Sequence, residues 1–328
     1  MSRLNASTAA PAGRATIDWL PVTIFAVLAL APIACAYGAE TYWLGLVTSI
    51  MVFAIAAIAV DLLCGFGGLV TFGHAAFVGI GAYAVAIFGA EGITDMAITL
   101  PAALIASAIF AYLTGTICLR TKNVYFIMIT LAFGQMAYFV AGSLAPYGGD
   151  DGISVKARST LFGVPIFDND RVFYYCVFAF LIGAYVLCRA VIASRFGRVF
   201  RGARDNPTRM ATIGFDVFRY QRVAYVIAGC LGGLAGFLLA NATEFVSPAY
   251  MSWQRSGELI IMVLFGGLST LHGAIVGAAA YILLENVLGG VTENWKLIFG
   301  PMLVLIVLFA RGGLIGLLAG IRRRFSHD

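Results

Sequence analysis

The chain is 328 residues long, 61% hydrophobic and only 11% charged, with a mean hydropathy of +0.93 and a formal net charge of +5. A soluble globular protein carries about 25% charged residues, so this composition excludes one and points to an integral membrane protein. The apolar stretches show no strand alternation, which argues against an outer-membrane barrel.

A bilayer-spanning helix needs about 20 mostly apolar residues. On that measure the chain divides into about ten predicted transmembrane helices, near 19–38, 42–63, 70–89, 97–118, 123–143, 172–193, 222–242, 257–271, 273–290 and 297–318. No polar stretch is long enough for a second domain, so residues 1–328 are read as one transmembrane domain of all-α polytopic architecture. The first span ends in "APIACAYGA", which looks like a signal-peptide end, but the hydrophobic segments that follow favour an uncleaved helix.

Residues 65–87, "GFGGLVTFGHAAFVGIGAYAVAI", put six glycines and a histidine into a segment apolar enough to enter lipid. Further along, "SLAPYGGDDGISVKARSTLFGVPIFDNDR" (143–171) combines turn-forming glycines and aspartates with apolar residues, as expected of a folded loop lying on the membrane. The polar stretch 194–222 carries seven arginines against Asp205 and Asp216. Within it, "RDNPTRMATIG" offers Asp205 or Asn206 as an N-cap, Pro207 in the first turn and Gly214 as a stop, which predicts a short helix parallel to the membrane.

The glycine motif then returns. Residues 66–83 align with 265–281 after skipping Gly73, giving eleven identities in seventeen positions. Gly67, Gly68, His74 and Gly79 meet Gly266, Gly267, His272 and Gly277. Gly-interrupted segments in corresponding positions are the best sequence pointer to a transport pathway. Glycines there let helices approach closely or bend, and the freed carbonyls line a protected polar space. The eighth span is only about 15 residues, too short for a full crossing, so it is expected to be a broken or re-entrant helix. His74 and His272 can each hold a kink by bonding a freed carbonyl, or touch the pathway. Tyr83 and Tyr281 read as packing or interfacial residues, and Glu258 and Glu285 as groups near the outer surface.

Placing both termini in the cytoplasm puts 16 of the 21 Lys and Arg residues inside, leaving Lys156, Arg158, Arg171, Arg255 and Lys296 outside. With ten spans, both copies of the motif then run in the same direction. The six cysteines show neither metal-ligand nor redox spacing and read as small packing residues. No metal site or other cofactor is expected. Paired charges for a coupling ion are nearly missing, with Asp61 near an inner end and Glu285 as the exceptions. The chain has no G-x-x-x-x-G-K-[ST] loop, so it is a channel or takes its energy from a partner. An intramembrane enzyme is disfavoured because no nucleophile and base lie at usable spacing.

Several blocks in order resemble bacterial branched-chain amino acid ABC-importer permeases of the LivM type. They are "GGLVTFGHAAFVGIGAY", "VYFIMITLAFGQM" (124–136), "GGDDGI" (148–153), "RGARDNPTRMATIGFDVFRYQRVAYVIAGCLGGLAGFL" (201–238), and "FVSPAYMSW" followed by "VLFGGLSTLHGAIVGA". The resemblance implies a multi-pass permease of the bacterial inner membrane, a transport subunit and not an enzyme. Its implied partners are a LivH-like second permease, two cytoplasmic ATPases and a periplasmic binding protein, with no nucleic acid. It also implies that Arg201, Arg204, Asp205, Asn206, Ala211 and Gly214 belong to the ATPase-coupling element. Pro207 and Thr208 depart from the family, which often has an acid there. Relatives that carry urea, short amides or aromatic acids keep those substrates open beside branched-chain amino acids.

Overall fold

The computed structural model describes residues 19–35, 40–155, 158–161 and 163–291, together with 297, 299–301, 313, 314 and 316. Helix α1 (Trp19–Cys35) leads to α2 (Glu40–Asp61), which continues through a π turn at Leu62–Phe66. Then come α3 (His74–Ala90), α4 (Met96–Cys118), α5 (Val124–Ser143) and α6 (Asp170–Ala193). Two short helices, α7 (Arg195–Asp205) and α8 (Pro207–Thr212), precede the long α9 (Val217–Thr243), and α10 (Trp253–Gly266) and α11 (Leu271–Val291) follow it.

Six of these helical stretches are long and apolar enough to cross a membrane: Thr41–Phe66, Met96–Cys118, Val124–Ser143, Asp170–Ala193, Val217–Thr243 and Leu271–Gly290. The expected span at 297–318 lies outside the described residues but for a few positions. The third expected span starts at His74 instead of residue 70, because Leu69–Gly73 are non-helical although apolar. The eighth runs from Trp253 to Gly266 instead of 257–271. Its 14 residues rise about 21 Å, short of a hydrocarbon core of about 30 Å.

Helices α2 and α9 form the buried axis, with 78% of each apolar stretch inside the protein, while α4, α5 and α6 have only 22–28% inside. Helix α3 packs closely on α9. A side chain on Gly81 would strike the Gly233 backbone, and one on Gly236 would strike the Val78 carbonyl. Such backbone-to-backbone contact is how helices associate where lipid gives no hydrophobic drive. Tyr83 and Tyr281 are both buried, and Tyr281 meets Phe299 edge-on at 5.1 Å, as expected of packing residues.

We call the end of the bundle where α6 runs into α7 the basic end. At the opposite end, the loop after α5 is folded, as its composition suggests. Strand β1 (Ile153–Ser154) pairs antiparallel with β2 (Phe245–Val246), and Thr160 exchanges backbone hydrogen bonds with Thr94 and Met96. Arg158 bridges Asp170 and Glu244 at 2.6 and 3.1 Å.

Candidate functional site: two glycine breaks joined beneath the basic helix

Each copy of the glycine motif is a helix, a break and a second helix. In the first copy, α2 and its π turn reach the basic end, Gly67–Gly73 form the break, and α3 leaves toward the far end. In the second, α10 reaches the same end, Gly267–Thr270 form the break, and α11 leaves. The two copies therefore run in the same direction. They differ in their packing. Helices α10 and α11 form a tight hairpin, in which a side chain on Gly277 would meet the Met262 carbonyl and one on Gly266 would meet Gly273. Helices α2 and α3 are held apart by α9, which packs against both.

The two breaks meet at one point. Asp61, fully buried at the end of α2, accepts a hydrogen bond from the Ser269 backbone N–H at 2.9 Å. The Ser269 hydroxyl donates to the Gly65 carbonyl at 2.7 Å. Gly65 lies in the π turn just before the chain leaves the helix, where carbonyls lose their intrahelical partners. Arg204 of α7 donates to the same carbonyl and to the Ser269 hydroxyl, the latter at 2.9 Å. One guanidinium from the basic segment thus ties both breaks together. Asp61 Oδ2 has no hydrogen-bond partner among the described residues.

The backbone around this junction is built for close approach. Gly68 has φ +68° and lies against the Arg204 side chain. A Cβ on Gly67 would run into the Phe200 ring. Ser269 itself has φ +63°, rare for a residue with a side chain, and its bonds to Asp61 and Gly65 hold that conformation.

Helix α7 is amphipathic. Val199, Phe200 and Ala203 are buried against the π turn and α9, and the Phe196 ring stacks between Phe200 and Tyr220. Helix α8 is punctuated as its sequence suggests. The Asn206 side chain accepts from the Arg209 N–H at 2.9 Å, Pro207 occupies the first turn, and Gly214 follows with φ +97°. The polar stretch holds two helices where one was expected, with the Asn206 cap dividing them. From Asp205 through Asp216 every residue but Met210 is exposed, including Ile213 at 63%. A cleft of about 760 Å³ lies between this knob, the first break and the α4–α5 turn.

Among the coupling candidates, only Arg204 reaches the junction. Arg201 turns back to the Gly197 and Ile192 carbonyls at 3.4 and 3.3 Å. Asp205, Asn206, Ala211 and Gly214 sit on the exposed knob. Among the hinge candidates, Gly67, Gly68, Gly266 and Gly267 lie at the two breaks. Gly79 lies deeper, where α3 meets the Met251 side chain. His74 opens α3 and His272 is the second residue of α11, equivalent places in the two copies. Their surroundings differ. His74 is completely buried edge-on to Phe77 at 5.3 Å, and neither ring nitrogen has a hydrogen-bond partner, a freed carbonyl included, among the described residues. His272 is half-buried beside a cavity that Arg189 and Arg201 also line. Among the described residues no group of His, Cys, Asp or Glu is placed to hold a metal. The sequence reading left Gly65, Phe200 and Ser269 out of the site. Asp61 was visible as the lone acid of the apolar stretch 41–66.

Several helices long and apolar enough to cross a membrane, with two glycine breaks joined to an amphipathic basic helix, fit a multi-pass permease. Residues 42–320 match the family model described as branched-chain amino acid transport system / permease component, and the chain belongs to that family. It is 25% identical over 292 residues to the high-affinity branched-chain amino acid transport system permease protein LivM of Salmonella typhimurium and to that of Escherichia coli, covering 82% of this chain and 68% of each relative. It is also 30% identical over 145 residues to the probable LivH permease of Methanocaldococcus jannaschii, covering 42% of this chain and 43% of that one. No solved structure matches it.

Proposed function

We propose that this chain is one permease subunit of an ATP-driven importer for branched-chain or related amino acids in a bacterial inner membrane. It pairs with a LivH-like permease, receives substrate from a periplasmic binding protein at the far end, and is driven by two cytoplasmic ATPases at the basic end. On this reading both termini are cytoplasmic and residues 1–328 act as a single permease domain. The exposed knob from Arg204 to Gly214 receives the ATPase, and Gly67, Gly68, Gly266 and Gly267 are the hinges that its movement works. His74 and Gly79 of the first copy, and His272 and Gly277 of the second, lie along the moving helices.

One observation carries this reading. Arg204 belongs to the basic segment yet bonds both glycine breaks, so displacing α7 must disturb the Gly65 carbonyl and Ser269 together. The test is uptake of labelled branched-chain amino acids into proteoliposomes holding the whole complex. Uptake should require ATP and fall at least ten-fold when residues 204–214 are replaced by a neutral Gly-Ser linker. An autonomous channel is the second reading, favoured by the scarcity of coupling-ion charges, and it would keep most of its flux in both conditions.

A further inference from the structure

The α10 segment holds charges that its hydropathy conceals. Arg255 and Glu258 lie in the first turns of α10, with Nη1 and Oε2 2.7 Å apart. Their depth follows from their neighbours. Both line one recess with Phe53, the middle residue of the 27-residue helical stretch 40–66. They are therefore inside the bundle, not at its outer surface as the charge pattern suggested. Glu285 of α11 acts electrostatically on the same guanidinium. An intramembrane ion pair is costly to keep and is a functional site by default.

The pair does not close on itself. Arg255 and Glu258 also line a cavity of about 470 Å³ between α5 and α10, shared with Gln135, Tyr138, Ser252 and Trp253. That volume is in the range of small-molecule sites. Gln135 forms part of this wall, and its Nε2 is turned away from the open space and has no hydrogen-bond partner among the described residues. The mouth is on the surface of this chain, where Trp253 and Gln254 are exposed. Lipid tails cannot face a guanidinium and a carboxylate at this depth, so a second protein surface or a water-filled path covers it.

The charge inventory selects the ligand. A simple anion engages only Arg255, a simple cation only the Glu258 and Glu285 carboxylates, and a neutral amide meets both signs with weaker, uncharged hydrogen-bonding groups. A zwitterion with adjacent carboxylate and ammonium groups replaces both halves at once. We infer that Arg255 and Glu258 form a transient binding site for the α-carboxylate and α-ammonium of an amino acid in transit, in the cavity that Gln135 also lines. On the opposite side the pair borders an apolar wall of Phe53, Val78, Leu259 and Met262, packed too closely to admit a side chain without rearrangement. This inference rests on the amino acid permease reading above and assigns the residues that hold the substrate.

The test uses the full complex in proteoliposomes with a labelled mixture of L-leucine, L-isoleucine and L-valine. Wild-type complex without ATP-dependent uptake would reject the permease reading itself. Given wild-type uptake, R255Q and E258Q should each move at least ten-fold fewer amino acids per ATP hydrolysed, and the exchanged pair R255E/E258R should not recover. Single variants within two-fold of wild type would overturn the site. Recovery by the exchanged pair would also overturn it, since that result marks a structural ion pair. A second measurement does not depend on turnover. Modification of Q135C by a hydrophilic thiol reagent should slow at least five-fold when the amino acid mixture and the binding protein are present, and unchanged modification would count against the site.

Discussion

At the residue scale the junction depends on three polar groups that have few other partners. Asp61 is fully buried, and it answers a backbone N–H that would otherwise face the end of a helix without an acceptor. Leaving a buried donor unsatisfied costs about 1–3 kcal/mol, so Asp61→Ala should destabilise the purified complex by about that amount, read as a lower midpoint in thermal unfolding. Arg204 and Ser269 share the Gly65 carbonyl, and residues in one hydrogen-bond network couple. R204A and S269A should therefore be non-additive in the same assay, with an interaction energy of about 0.5–3 kcal/mol. Additive losses would mean that the bonds are independent. Asp61 could be picked out from its charge alone, as the one acid in an apolar stretch. Ser269 could not, because Val70 stands at the same place in the first copy.

At the element scale, the segments with polar punctuation were the readable ones. Helix α8 announces its ends by Asn206, Pro207 and Gly214, because caps are made by local side chains and left-handed backbone. The start of α3 is silent. Leu69, Val70 and Phe72 are as apolar as any helix interior, and what keeps them out of a helix is tertiary. The Phe72 N–H bonds the Thr130 hydroxyl at 3.3 Å, and the Ala75 N–H bonds Ser256 Oγ at 3.0 Å. Hydropathy therefore ran the third span too far back, and for the same reason it placed the eighth too far forward. The α8 cap gives a direct prediction. Asn206→Ala removes the acceptor for the Arg209 N–H and should cost about 1 kcal/mol of local helix stability. Because α8 is exposed, the loss should appear as faster amide exchange over 207–213 with little change in the melting midpoint of the whole complex. Similar exchange in both proteins would show that the cap does not hold this helix.

At the scale of the whole molecule, hydropathy found the six helical stretches long and apolar enough to cross a membrane without separating those that face lipid or a partner from those that form the core. Helices α4 and α9 are almost equally apolar, yet 22% of one apolar stretch is buried and 78% of the other. In water an amphipathic stripe would reveal the buried face. In a bilayer both faces are apolar, and the difference lies in residue size instead. Helix α9 carries Gly229, Gly232, Gly233 and Gly236 where it meets α3 and α4, while α4 shows Ile98, Ile105, Ile109 and Leu113 to the outside. Volume, then, is what these positions should respond to. Ala228 is completely buried on α9, and Ala228→Leu adds a side chain to a close-packed wall, which should cost about 1–3 kcal/mol. Ile109, 55% exposed on α4, has room to change, so Ile109→Leu should shift stability by less than about 0.5 kcal/mol. Thermal unfolding of the two variants in one lipid-detergent system compares them directly. Equal losses would mean that α4 is as tightly enclosed as α9, which in the assembled transporter would place a partner's helix against its Ile105 and Ile109 face in place of lipid.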